Sequence, residues 1–280
     1  MRTQTCALNR IKISFEISDE ARKMSVECNV EAITDKTVIG KTFINGISDS
    51  NAGAIALGGF IVAVDPSSTA DSAPIFRRGI EEHFKLPTKY LLVTHYHGDH
   101  THGIEAFRDT IVVGARQLYD QMMKGGKPFP PELMFTDKLI IEDGGSRVEL
   151  HYAGGHTVCS AIAYFPEEKV IFLGDTLFAD EFPWAGDPSS NPDQWIAFFE
   201  KILELDFDHV VPGHGPLCGK EEVRRQLRFL KELRENTLKA IEMNAGPARV
   251  EMPTIYEKVP ESRDTRTLRH FYDFYSKKNN

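Results

Sequence analysis

Residues 94–100 read Thr-His-Tyr-His-Gly-Asp-His, which places three imidazoles and a carboxylate within six consecutive positions. The apolar run Tyr90, Leu91, Leu92, Val93 comes directly before them. Such a run, short and ending abruptly in polar residues, predicts a buried strand with a ligand-rich loop at its end. In an extended segment side chains alternate, so His95 and His97 share a face and can grip one ion. Gly98 permits a sharp turn after them. Asp99 and His100 then point elsewhere, which suits two neighbouring metals better than one. Histidine binds metal as the neutral imidazole. Nitrogen and oxygen donors without thiolate fit zinc, with iron and manganese as alternatives.

Further ligand types sit in glycine-containing segments after other apolar runs. Gly154-Gly155-His156-Thr157 follows an expected strand over 148–152, and Gly174-Asp175-Thr176 follows one over 170–173. Pro212-Gly213-His214-Gly215-Pro216 follows the short run 209–211. Active-site residues of sheet-based α/β proteins often emerge at such strand ends. Taken singly, His156, Asp175 and His214 could each be ordinary turn residues; as an ordered series they rise together. The isolated His83, His151, His209 and His270 read as packing residues, and His102, just past the motif, is a weaker pocket candidate.

The remaining patterning is that of a mixed α/β chain. Alternating apolar residues predict a half-buried strand over 11–17, and strands are expected at 54–57, 60–64, 111–113, 139–141 and 160–165. Helical spacing predicts helices over 73–84, 115–123, 193–205 and 220–243. Residues 20–40 are polar and carry no clear period. Leu268, Phe271, Tyr272 and Tyr275 form a stripe at helical spacing, suited to packing on the body or against a second subunit. The segment 178–192 contains Phe182 and Trp184, which read equally as a wall over the site or as core plugs.

Composition narrows the function classes. The 280 residues carry 41 acidic against 33 basic groups, a net charge of -8, which disfavours a general nucleic-acid binder. No apolar stretch approaches a membrane span, and residues 1–6 lack the apolar core of a secretory signal. Cys6, Cys28, Cys159 and Cys218 are widely spaced and form no disulfide framework. A cytoplasmic enzyme with a small-molecule substrate is the expectation, with no nucleic-acid or membrane partner and a homodimer left open. The chain has no G-x-S-x-G elbow to carry a serine nucleophile.

The ordered series His-x-His-x-Asp-His, Gly-His-Thr, Gly-Asp-Thr, Pro-Gly-His resembles the metallo-β-lactamase-fold hydrolases from about residue 51 to 216. The run over 174–178 is similar to the glyoxalase II-like and lactonase-like branch. The resemblance implies a four-layer αββα sandwich over residues 1–245, with 246–280 as a helical extension. It implies that His95, His97 and His156 bind one metal, that Asp99, His100 and His214 bind a second, and that Asp175 bridges both. Asp65 would orient the site from outside it, and Asp99 and Asp175 would be the catalytic carboxylates. The implied chemistry is attack by a metal-bridging hydroxide on a thioester, lactone, β-lactam or similar acyl compound, with two zinc ions as cofactors. A phosphodiesterase using the same site and a mononuclear-iron persulfide dioxygenase are the alternatives.

Overall fold

The computed structural model describes residues 11–16, 25–256 and 261–278. Ile17, the last residue of the first predicted strand, and residues 1–6 lie outside them.

The chain opens with β1 (Ile11–Glu16), β2 (Ser25–Ala32), β3 (Thr37–Ile44), β4 (Ile47–Ala56) and β5 (Ile61–Val64). Then come α1 (Ser72–Phe84), β6 (Thr88–Leu92), β7 (Ile111–Ala115), α2 (Arg116–Lys124) and β8 (Leu133–Phe135). Next are β9 (Lys138–Asp143), β10 (Ser146–Tyr152), β11 (Ala161–Phe165), β12 (Val170–Phe178) and α3 (Pro192–Ile202). β13 (His209–His214), α4 (Lys220–Glu242) and α5 (Glu261–Lys278) complete it. The period-free segment 20–40 contributes β2 and the start of β3. These pair as an antiparallel hairpin from Val26–Ile44 to Ala32–Val38. β2 exposes alternate polar residues, so its register is decided by pairing with β3 rather than by a strong apolar pattern.

Strands β1 to β8 form one sheet and β9 to β13 another; among the described residues they are joined only where β4 pairs antiparallel with β13, at Ser50 and His214. Three apolar layers separate four layers of structure. Between the sheets lie Ile55, Val62, Val64, Leu92, Val113, Leu150, Ala163, Phe172 and Val211. Outside the first sheet, α1 and α2 cover Ile61, Ala63, Leu91 and Val112 with Phe76, Ile80, Leu118 and Met122. Outside the second, α3, α4 and α5 cover Ile171, Leu173 and Val210 with Trp195, Phe199, Leu230, Leu233 and Phe271. The alternation is direct: Ile61 and Ala63 face helices while Val62 and Val64 face the other sheet. Both faces of such a strand are buried, so it reads as a continuous apolar run. This is the αββα sandwich.

The predicted helices differ from the observed ones by at most three residues at either end. α3 stops at Ile202 rather than 205; it starts at Asn191, whose side chain accepts from the Gln194 backbone N–H at 3.1 Å, with Pro192 in its first turn. The carboxy-terminal stripe packs on the body: Phe271 and Tyr275 are buried, and Leu268 and Tyr272 lie partly buried against the same cluster. Burial pushes the thiols of Cys28 and Cys159 up to about 12, so both remain protonated and unreactive at neutral pH. No helix among the described residues is long and apolar enough to cross a membrane.

Between the sheets, Gly53 of β4 lies directly against Phe172 of β12. A Cβ added at Gly53 would strike the Phe172 ring. Gly53→Ala should therefore destabilise the fold by about 1–3 kcal/mol through overpacking and lower the thermal midpoint by several degrees. Calorimetry on the variant checks this; an unchanged midpoint would mean that the gap between the sheets is slack.

Candidate metal centre

The candidate ligands lie at or shortly after strand ends, except Asp175: the strand expected over 170–173 runs on to Phe178 and contains it. His95 and His97 follow β6, and the 3-10 turn Gly98–His100 carries Asp99 and His100. His156 lies in the loop after β10, Asp175 within β12 and His214 at the end of β13. The fold gathers these residues into two groups, each with one donor atom per residue lying within 4.8 Å of the others: His95, His97, His156 and Asp175, and Asp99, His100, Asp175 and His214.

Asp175 belongs to both groups through different atoms. Its Oδ2 lies 3.6 Å from His95 Nε2 and 3.5 Å from His156 Nε2. Its Oδ1 lies 2.9 Å from His100 Nε2 and 3.4 Å from His214 Nε2. Asp99 Oδ2 completes the second group, 3.4 Å from His100 Nε2 and 3.1 Å from His214 Nε2.

The backs of the rings fix their tautomers. His100 Nδ1 donates to Asp65 Oδ2 at 2.8 Å. His97 Nε2 donates to Asp187 Oδ2 at 3.0 Å, and His156 Nδ1 donates to the Trp184 carbonyl at 3.1 Å. His95 Nδ1 meets Thr94 Oγ1 at 3.1 Å. With those nitrogens donating outward, the inward Nε2 of His95 and His156 and the inward Nδ1 of His97 are bare lone pairs, while the inward Nε2 of His100, facing Asp99 and Asp175, becomes one once its proton is displaced. Such backing acceptors orient ligands and raise their basicity. Asp65 is itself held in a left-handed conformation, φ 57, which an aspartate adopts at a cost. Three bonds at 2.8 Å, from the Thr94 N–H, the Thr94 hydroxyl and His100, offset it.

These donors fit divalent cations. His97 Nδ1 lies 2.9 Å from His95 Nε2 and 3.2 Å from His156 Nε2. Three lone pairs converge there, and tetrahedral zinc with Zn–N bonds of about 2.0–2.1 Å would hold nitrogens about 3.3 Å apart. In the second group His100 Nε2 and Asp175 Oδ1 are buried with no hydrogen bond of acceptable geometry, although they are close. Orphaned buried polar atoms of this kind demand a partner.

The two groups differ in charge state. Burial, reinforced by the positive charge on His100, holds His95 well below the usual imidazole range. Burial likewise lowers His156 to about 4. In the second group burial opposes protonation but is outweighed. Asp175, Asp99 and Asp65 raise His100 well above the usual range, and Asp175 and Asp99 raise His214 to about 10. Against burial, the same imidazoles hold Asp175 and Asp99 far below the carboxylate range.

A cavity of about 520 Å³ opens over both groups, walled by Phe178 and Trp184 and bordered by Asp49 and Arg266. The two aromatics of 178–192 part company. Phe182 is buried against Phe229, ring centroids 5.3 Å apart, and is a core plug. Trp184 lies half-buried, 5.4 Å from the His97 ring, and walls the cavity. His102 is exposed and borders a separate surface cleft with Arg77 and Asp109. Asp187, which orients His97 and also accepts from Tyr96, was missed by sequence reasoning. Its only signal was the density of Asp, Gly and Pro in the loop.

The model of the metallo-beta-lactamase superfamily matches residues 46–214, more than half of the chain, and the protein belongs to that superfamily. Among curated relatives, it is 26% identical over 230 residues to the 2,4-dinitroanisole O-demethylase subunit alpha of a Nocardioides species, covering 75% of this chain and 66% of that one. It is 24% identical to a metallo-beta-lactamase type 2 of Bacteroides fragilis, covering 80% and 93%. It is 28% identical to a hydroxyacylglutathione hydrolase of Francisella tularensis, covering 48% and 52%. The chain thus spans roughly half to two thirds of the length of several relatives it matches. A solved metallo-beta-lactamase from Pontibacter korlensis shares the fold, with TM-score 0.66 and 22% identity over 73% of this chain and 99% of that one.

Two outcomes follow from this geometry. Asp187→Ala frees the back of His97, and zinc affinity of the first group should fall about 10–100-fold; chelator competition measures it, and unchanged affinity would deny Asp187 an orienting role. Filling the second group must displace protons that its carboxylates hold on His100 and His214. Its affinity should therefore rise about tenfold per pH unit for each proton displaced, up to about pH 10 at His214, while the first group varies less. Zinc titrations at pH 6 and pH 8 compare the two.

Proposed function

We propose that the protein is a dinuclear metal-dependent hydrolase of a small ester-like compound: a thioester, lactone, β-lactam or related acyl substrate. The observation that carries this reading is Asp175, whose two carboxylate oxygens face separate groups of imidazoles. His95, His97 and His156 would hold one ion, Asp99, His100 and His214 the other, and Asp175 would bridge them. The donor set favours zinc. When bound, the pair supplies a water acidic enough to be a nucleophile at neutral pH and an electrophile for the scissile carbonyl.

The chain's own residues do the rest. Asp65, Asp187 and the Trp184 carbonyl hold three imidazoles in the productive tautomer. Asp99 is partly exposed to the cavity, so beyond its contacts with His100 and His214 it can accept a hydrogen bond from entering water and orient it. His214 is stacked on Phe178, centroids 5.4 Å apart and planes within 4°, which limits its swing. Trp184 and Phe178 give the cavity apolar walls that displace bulk water and favour a compact acyl group. About 520 Å³ is the scale of a small-molecule site. The relatives named beta-lactamase and hydroxyacylglutathione hydrolase are in keeping with an acyl substrate.

The test is turnover of a panel of lactones, thioesters and β-lactams by the zinc-loaded protein and by Asp175→Asn. That variant keeps the shape but removes the charge that both groups share, and turnover should be abolished. Undiminished turnover in Asp175→Asn would sink the bridging role, and phosphodiesters as the sole substrates would sink the acyl assignment.

A further inference from the structure

Arg266 stands on α5, beyond residues 46–214 that carry the family match, yet it borders the cavity over the two ligand groups. Its place is not accidental to the helix. The neighbouring Thr267 is buried, and its Oγ1 accepts from the Ala185 backbone N–H at 3.1 Å. One turn on, His270 Nε2 donates to the Ser190 carbonyl at 2.8 Å, and Phe271 is buried beside it. Near the end of the helix the Tyr275 hydroxyl donates to Asp193 at 2.7 Å. α5 is thus tied to the loop that carries Trp184 and Asp187, the same loop that backs His156 and His97.

The guanidinium is also uncommitted. Arg77, Arg225 and Arg234 are each tied to nearby carboxylates. Among the described residues Arg266 is exposed and makes no ion pair or hydrogen bond, although Asp49, Asp99 and Asp175 border the same cavity. Those carboxylates are engaged elsewhere: Asp49 by Ser68, Asp99 and Asp175 by the imidazoles. A free guanidinium at the mouth of a site with an acidic floor and two aromatic walls offers a planar fork that matches a carboxylate with two parallel hydrogen bonds.

We propose that Arg266 is the specificity-determining residue of this site and binds a carboxylate on the substrate, so that the protein acts on anionic acyl compounds in preference to neutral ones. The inference rests on the hydrolase reading and names its substrate class. The carboxylate docks on Arg266 at the cavity mouth while the acyl bond lies over the two ligand groups, with Trp184 and Phe178 flanking the carbon chain between.

A matched pair of chromogenic esters tests it: 4-nitrophenyl hydrogen glutarate, which ends in a carboxylate, and 4-nitrophenyl valerate, its neutral counterpart. For the zinc-loaded protein the ratio of kcat/KM, charged over neutral, should fall about tenfold in Arg266→Met, carried mainly by KM of the charged ester. Arg266→Lys should keep an intermediate ratio, since charge remains but the fork is lost. Calorimetric titration with glutarate gives a readout independent of turnover, and its Kd should rise about tenfold in Arg266→Met. An unchanged ratio and an unchanged glutarate Kd would overturn the assignment, as would failure of the wild-type protein to bind glutarate. If neither ester is turned over but glutarate binding still weakens in Arg266→Met, the hydrolase reading fails and the carboxylate site stands.

Discussion

Asp175 presents one carboxylate oxygen to His95 and His156 and the other to His100 and His214 while almost fully buried. A buried carboxylate is tolerated only when opposite charge or hydrogen bonds surround it, and here imidazoles do so on two sides. Its position depends on the backbone. Gly174 takes a left-handed conformation, φ 48, and the parallel pairing of β12 with β13 shifts register on either side of it. A Cβ at Gly213 would collide with Asp175 Oδ1 and with the backbone beside it. The irregularity in β12 is what brings the carboxylate against the ends of β6 and β13.

The remaining geometry follows from layering. β12, the middle of β13 and the last residues of β6, Leu91 and Leu92, are buried on both faces, which gives the donors a fixed base. His214 lies on the seam where the two sheets join, paired with Ser50. The Ser50 hydroxyl donates to the Asp99 carbonyl at 2.7 Å. The seam therefore positions members of the second group from both sheets at once. Behind these residues, Asp65, Thr94 and the loop that carries both Asp187 and the Trp184 carbonyl turn four imidazoles inward.

Much of this was legible in the sequence, and for a physical reason. Buried strands print as apolar runs with the donors in or shortly after them, so the strand read over 90–94, which the structure places two residues earlier, and the series from His95 to His214 could be read locally. The hairpin of β2 and β3 could not: its exposed face is polar, and its register comes from partners distant in the chain. Asp187, and the choice between Trp184 and Phe182 as the wall of the site, were hidden for a similar reason. Asp187 lies 90 residues from the His97 it orients, and nothing in the loop 178–192 distinguishes the aromatic that turns toward the cavity from Phe182, which turns into the core. Arg266 carried no signal at all, because its meaning depends on where α5 docks.

The chemistry of the site turns on whether Asp175 joins the two groups into one dinuclear centre. Native mass spectrometry of the metal-free protein titrated with zinc tests it most directly. A bridging Asp175 gives saturation at two ions per chain. Saturation at a single ion, or a single iron retained per chain on purification, would contradict it.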